Sequence, residues 1–339
     1  MDILTQAVLG AAVAQSIAKK TELRVATFIG LVAGILADAD VFISSNSDPL
    51  LTLEYHRHFT HSIFFIPIGA LLAAVLLWFF VKNHLSFKRL YVFSFAGYSL
   101  SGFIDTCTSY GTYLFWPLVD QRLSFNIISI VDPIFTIVLI AFIISAWLKW
   151  RPQLAQLALV FCSLYLLVGL GQNYRAEQWA KEIIQQRQHQ AENILVKPSF
   201  ANIFLWRIIY TVEDKIVADA VYLGLTPRVY PGGSVNILNV DTALPNLAKD
   251  SVLYADIKRF KQFSAGYIAM SPVNENVLGD MRYSMLPNSL NPIWGIKINA
   301  DRPDQHASYG FYRENTAAIR NQFKQMLLGR NIPERENLD

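Results

Sequence analysis

Charge is withheld from the first half of this chain. Residues 1–171 carry 10 of its 29 Lys and Arg and 9 of its 26 Asp and Glu; the other 36 charges fall in residues 172–339. Soluble domains devote about a quarter of their residues to charge. A stretch of this length with only 19 ionic side chains cannot clothe its own surface in solvated groups. The first half therefore reads as membrane-embedded and the second as soluble. A single soluble enzyme is excluded.

Two uncharged runs, residues 62–81 and 152–174, are long enough to span a bilayer unaided. Residues 133–148 reach that length if 127–131 are added, with Asp132 near one end. Residues 3–18, 25–37 and 90–104 are shorter, and the last two finish at acids: Asp38 and Asp40, then Asp105. Short spans ending in carboxylates suit helices that stop against a polar cavity rather than lipid. The pattern predicts a polytopic α-helical membrane domain of about six spans. Alternating the spans places Lys19, Lys20, Arg24, Lys82, Lys88, Arg89, Lys149 and Arg151 on one side, with only Arg57 and Arg122 opposite. The basic side is expected to be cytoplasmic. The remaining loops and the second half are then expected to face outward from a bacterial inner membrane. Asp2 in place of a basic start, with no small-residue cleavage site, argues against a cleaved signal peptide.

Beyond Tyr174 the chain turns polar. The expected division is a membrane domain over 1–174, a connecting helix over 175–193 and a soluble α+β domain over 194–339. Within the last, 206–223 reads as two strands around a Glu213–Asp214–Lys215 turn, 281–285 and 294–298 as strands, and 316–328 as a closing amphipathic helix. A net charge of +3 without a basic tract argues against a nucleic-acid partner. Two cysteines, Cys107 and Cys162, form no disulfide framework and read as small buried side chains.

Polar groups are scarce in the membrane half, so their clustering carries information. Asp38 and Asp40 close the second span, His56, Arg57, His58 and His61 open the third, Asp105 closes the fourth and Asp132 opens the fifth. All fall at the outward ends. Imidazoles and carboxylates together make a mixed N/O donor set, suited to Zn²⁺, Mn²⁺ or a two-ion site. Asp38, Asp40, His56, His61 and Asp105 are the candidate ligands. Each has a plainer alternative. The acids can terminate helices, the histidines can be interfacial, and His58 can be solvated. Asp132 before Pro133 makes a good helix cap. Arg57 can neutralise an acid or hold a substrate phosphate. Tyr110, Tyr113, Phe115 and Trp116 can wall the site or anchor the chain at the membrane interface.

The segments MDILTQAVLGAA, LADAD, HRHFTHS, FIDTCTSYGTYLFWP and IVDP, in this order over residues 1–135, resemble the predicted membrane-bound metal-dependent hydrolases of the YdjM/YbcI type. The resemblance implies that the paired histidines and the acids form a metal site. The second half is also similar to that of the longer members. The sequence departs from the pattern at Gln6, in the place of a His; at Ala37, in the place of a Pro; at His58, in the place of a Gly; and at Ser101, in the place of a His one turn before Asp105. The expectation is a metal-dependent hydrolase acting on an ester or phosphoester of a membrane lipid or lipid-linked molecule. Arg57 would steady the anionic substrate, and Asp132 or Gln6 would orient ligands. The alternative is a non-enzymatic membrane protein, a pseudo-enzyme or transporter with a vestigial metal site.

Overall fold

The computed structural model describes residues 1–332 and divides into two compact units. One comprises Met1–Ile43, Tyr55–Gly171 and Phe200–Ile203; the other takes Ser44–Glu54, Gln172–Ser199 and the chain from Phe204 onward. The helices of the first half are α1 (Ile3–Ser16), α2 (Leu23–Leu36), α3 (Leu51–Tyr55), α4 (Ile66–Val81), α5 (Phe87–Tyr98), α6 (Ser101–Thr106), α7 (Pro133–Lys149) and α8 (Pro152–Gln186). Their starts follow local chemistry. The Asp2 carboxylate accepts from Thr5 N–H, Ser86 from Arg89 N–H and Asp132 from Phe135 N–H, and α4 and α7 carry proline in their first turn.

In the first unit α1, α2 and α5 meet backbone to backbone at Gly10, Gly30, Gly34 and Gly97. A Cβ on Gly10 would stand 2.8 Å from the Gly97 carbonyl oxygen, and one on Gly30 2.8 Å from the Ala11 Cα. Such small-residue contacts are how helices associate where lipid removes the hydrophobic drive between them. Lys19, Lys20, Arg24, Lys82, Lys88, Arg89, Lys149 and Arg151 all lie beside the ends of α1, α4 and α7 or the starts of α2, α5 and α8. Arg89 at the start of α5 forks onto Glu22 at 2.7 and 3.1 Å and reaches the Ile17 carbonyl at 2.9 Å. Gln156 of α8 donates to the Ser16 carbonyl at 3.0 Å.

Among the described residues, two helices are long and apolar enough to cross a membrane: Lys20–Phe42, which is α2 with its flanking 3₁₀ turns, and α8. A third arises if Leu51–His61 and Ile66–Val81, bent by 92°, count as one span. The expected six are not supported. The reason is length: the 14 residues of α1 rise only about 21 Å at 1.5 Å each, short of a ~30 Å hydrocarbon core. The run 90–104 is cut between α5 and α6. Residues expected as the last span and as a separate connector lie on one continuous 35-residue helix.

The second unit is sheet-rich. Strands β1 (Ile194–Pro198), β2 (Leu205–Val212), β3 (Lys215–Tyr222) and β4 (Arg228–Tyr230) form an antiparallel sheet in that order, with β5 (Ser234–Asn236) also on β3. Short α9 (Val240–Ala243) and α10 (Val252–Phe263) lead to a second antiparallel sheet, β6 (Ile268–Met270), β7 (Val277–Asp280), β8 (Trp294–Lys297) and β9 (Ser308–Phe311), and α11 (Ala317–Leu327) follows. Glu213, at φ 51°, makes the β2–β3 turn. Alternation sets the two faces of the first sheet. Trp206, Ile208 and Tyr210 pack on Ala176, Ala180 and Ile183 of α8, while Ile209, Ile216 and Ala218 meet Tyr267, Ala269 and Met281. Residues 281–285 are not a strand. The Arg282 guanidinium and backbone N–H both fold back onto Asp280, ending β7 there, and only Ser284 forms a bridge, to Pro292.

Candidate metal centre

Irregular backbone brings the polar residues together. α2 tightens at its end into a 3₁₀ turn, Ala37–Phe42, which carries Asp38 and Asp40. After α3, Arg57 adopts a left-handed φ of 61° and reverses the chain into a second 3₁₀ turn, Phe59–His61. The backbone of α6 lies directly on this turn. A Cβ at Gly102 would overlap the His61 carbonyl oxygen, so only glycine lets α6 approach and deliver Asp105. Gln6 comes from α1.

His61 is the hub. Its Nε2 lies 3.0 Å from Asp105 Oδ2 and 3.3 Å from Asp38 Oδ1. Its Nδ1 lies 3.0 Å from Thr60 Oγ1 and 3.3 Å from Asp40 Oδ2. Asp40 is saturated. Oδ1 meets His56 Nδ1 at 2.8 Å, while Oδ2 accepts the Arg57 N–H at 2.8 Å and the Thr60 hydroxyl at 2.6 Å. A carboxylate at each Nδ1 holds the proton there and leaves each Nε2 with a lone pair. One acid thus sets both rings. Gln6 Nε2 donates to Asp105 Oδ2 at 2.8 Å, and Arg57 Nε stands 3.2 Å from the same oxygen. Asp105 Oδ1 contacts the Met1 nitrogen.

The donor set fits a cation. Donor atoms of Asp38, His61 and Asp105, all buried, lie within 4.8 Å of one another. Asp38 Oδ1 and His61 Nε2 are buried and make no hydrogen bond. With the His61 proton on Nδ1, three acceptors converge, and only Asp105 Oδ2 has donors of its own, Gln6 and Arg57. Arg57 and the Met1 nitrogen offset the charge of Asp105, and a cation between the three acceptors would offset that of Asp38. Two carboxylate oxygens and an imidazole nitrogen are ordinary ligands for Zn²⁺ or Mn²⁺. Asp38, Asp40 and His56 form a second such grouping beside the first.

Residues 1–176 match the family described as YdjM inner membrane protein. The chain belongs to that family. The match takes in every residue of the centre. Of curated proteins, the uncharacterized protein YfhP of Bacillus subtilis (strain 168) is 25% identical over 250 residues, 73% of this chain and 71% of that protein. No solved structure matches.

Three of the departures from the YdjM pattern have structural accounts. Gln6 serves as a donor to Asp105. Ser101, one turn before Asp105, turns its hydroxyl to the Gly34 carbonyl at 3.3 Å. His58 packs against Tyr113 and Trp116, with ring centroids 4.4 and 5.5 Å away. Asp132 caps α7, its oxygens taken by the Phe135 N–H and the Tyr165 hydroxyl. Sequence reasoning missed Thr60, which joins Asp40 to His61, and Tyr98, whose hydroxyl holds the Thr60 carbonyl at 2.7 Å. Only the position of Thr60 inside the His-rich segment could have pointed to it.

Proposed function

We propose that this YdjM-family chain is a metal-dependent hydrolase of the inner membrane, acting on an ester or phosphoester of a lipid or lipid-linked molecule. The observation that carries the reading is the convergence of Asp38 Oδ1, Asp105 Oδ2 and His61 Nε2, of which Asp38 Oδ1 and His61 Nε2 are buried and make no hydrogen bond. A Zn²⁺ or Mn²⁺ ion held by these three would supply Lewis acidity, acidifying water and polarising an ester or phosphoryl oxygen. The protein does the rest. Asp40 keeps the protons of both imidazoles on Nδ1. Gln6 and Arg57 hold Asp105 in one orientation. His56, beside Asp40, offers the next nitrogen at the more exposed edge. Arg57 Nη1, buried without an acceptor, is a donor for an anionic group. Asp132 acts through the cap of α7 rather than on substrate.

The eight Lys and Arg beside the ends of α1, α4 and α7 and the starts of α2, α5 and α8 support a multi-pass topology with those ends cytoplasmic and the metal centre and C-terminal unit outward. The apolar, outward-turned Leu71, Leu72, Val75, Leu76 and Phe79 of α4 suit lipid contact. The test is the metal content of the purified protein. Wild type should retain about one or two divalent ions per chain, as the two donor groupings imply. His61→Ala should lose them, and His189→Ala, whose ring bonds Tyr210 in the other unit, should not. A folded His61→Ala protein with wild-type metal would remove the site.

A further inference from the structure

The way to the buried triad is framed by cations. His56 is the most open member of the cluster, its side chain 25% exposed against 7% for Asp38 and none for His61 or Asp105. The Tyr110 ring lies 5.5 Å from the His56 ring. The Cζ atoms of Arg57 and Arg122 lie 5.1 and 4.7 Å from that same Tyr110 ring. Arg122 is held in place, its Nη2 on the His56 carbonyl at 3.0 Å and its Nη1 on the Gly111 carbonyl at 3.3 Å. Arg57 is buried, 5% exposed, its Nη2 on the Met1 carbonyl at 2.8 Å and its Nη1 making no hydrogen bond. Two guanidiniums on one ring repel each other, an arrangement that an anion between them relieves.

The side-chain charges decide when an anion is welcome. Asp38, Asp40 and Asp105 against Arg57 leave two negative charges. A divalent ion cancels them, and Arg122 then makes the opening positive. We infer that Arg57 and Arg122 clamp a phosphoryl group, so that the substrate is a phosphate monoester rather than a carboxylic ester. An acyl ester develops charge on one oxygen. A phosphoryl group carries it on two or three, which the positive charge and remaining N–H groups of two guanidiniums match. In the reaction a water oxygen bonds to phosphorus and the P–O bond to the alcohol breaks. The leaving oxygen takes up the proton that the water loses, giving free alcohol and inorganic phosphate. No oxidant or reductant is involved. The inference rests on the metal-site reading above.

Binding of radiolabelled inorganic phosphate to the full chain in phosphatidylcholine nanodiscs tests it, with metal content measured on the same samples. Wild type loaded with Mn²⁺ or Zn²⁺ should bind phosphate saturably, and EDTA treatment should abolish binding. Arg122→Gln should weaken binding at least tenfold without losing metal, Arg57→Gln, which also loosens Asp105, should weaken it at least tenfold when compared at equal metal occupancy, and Arg122→Lys should restore part of it. Arg313→Gln, in the other unit, should behave as wild type. Stronger displacement by short-chain phosphatidic acid than by glycerol phosphate would assign a lipid source, and the reverse a soluble one. Both support the clamp. Unchanged binding in both Gln variants, or metal-loaded protein that binds no phosphate, overturns the clamp alone. Arg122→Lys as weak as Arg122→Gln at unchanged melting temperature makes Arg122 a loop tether and overturns the paired clamp. Absence of metal from wild type overturns the clamp and the metal site together.

Discussion

Replacing Asp40 by Asn separates a residue that orients ligands from one that is a ligand. The side-chain shape is kept, but one oxygen becomes an NH₂ group. If that group takes the Oδ2 position, it faces the Arg57 N–H, the Thr60 hydroxyl and His61 Nδ1, all of which bring protons. The amide therefore settles with its nitrogen on the Oδ1 side, facing only His56 Nδ1 at 2.8 Å. His56 must then accept there and carry its proton on Nε2, losing the lone pair it offered. His61 keeps its Nδ1 proton toward Thr60 Oγ1 at 3.0 Å, and so keeps Nε2 on the triad. The expected result is a partial loss, about 10- to 100-fold in metal affinity, or roughly 1.4–2.7 kcal/mol, as for other orienting carboxylates. Chelator competition on protein in detergent reads this directly, with Asp38→Asn and His61→Ala as full-loss references. An Asp40→Asn protein that folds yet loses metal as completely as His61→Ala would make Asp40 a ligand. One that binds metal as wild type does would remove the tautomer reasoning.

Gly102→Ala forces α6 off the His61 carbonyl, since no flexible atom is there to yield. It should cost about 1–3 kcal/mol of stability and measurably weaken metal binding, whereas wild-type affinity would mean that Asp105 does not depend on this contact. Lys197, across from Arg207 in register and with Nζ 3.2 Å from the Tyr283 ring centre, has its ammonium pushed well below the usual lysine range by burial and by Arg207 and Arg282. The unfolded chain therefore binds the extra proton, and stability rises with pH from the lowered folded value up to the ordinary lysine range. Lys197→Met should raise the melting midpoint at pH 7, by about 2–4 °C per kcal/mol released, and the gap should close toward pH 10; parallel curves would refute this. A reporter active only outside the cytoplasm, fused at the C-terminus, should be active, and activity of a cytoplasm-only reporter there would reverse the topology.

Helices lie where the apolar runs are, and the β2–β3 turn falls at Glu213–Asp214, because periodicity and turn chemistry are local properties. The acids and histidines that share one end of their helices also approach one another, His61 with Asp38 and Asp105 above all. What was not legible depends on neighbours distant in sequence. Apolar length alone does not show that α5 stops before α6 or that the chain bends by 92° before α4. Leu50 and Leu53 sit in a segment read as an outward loop, yet belong to the second unit, packing with Leu253, Ile257 and Phe260 in its core. Asp280 and Arg282 satisfy each other across two residues, so an alternating stretch that reads as a strand becomes a turn. Glycine at 102 and tyrosine at 98 matter only through what α6 and α5 press against.

The shortfall in spans and the presence of the centre have one cause. A continuous helix uses its backbone groups on itself and spaces side chains 100° apart, so Asp38 and Asp40 on regular α-helix would point to different faces. The 3₁₀ turn at Ala37–Phe42 and the break from Arg57 to Ile66 remove that restriction. Two acids two apart and two histidines five apart then meet around Asp40. Broken backbone at membrane depth is tolerable only where its polar groups are met by protein. Here the Arg57 N–H goes to Asp40, the Thr60 carbonyl to Tyr98, and the Ile63 N–H to the Leu114 carbonyl. The same bonds that make the breaks affordable also fix the imidazoles. A variant that straightened this region into a longer span would fit the bilayer better and scatter the ligands.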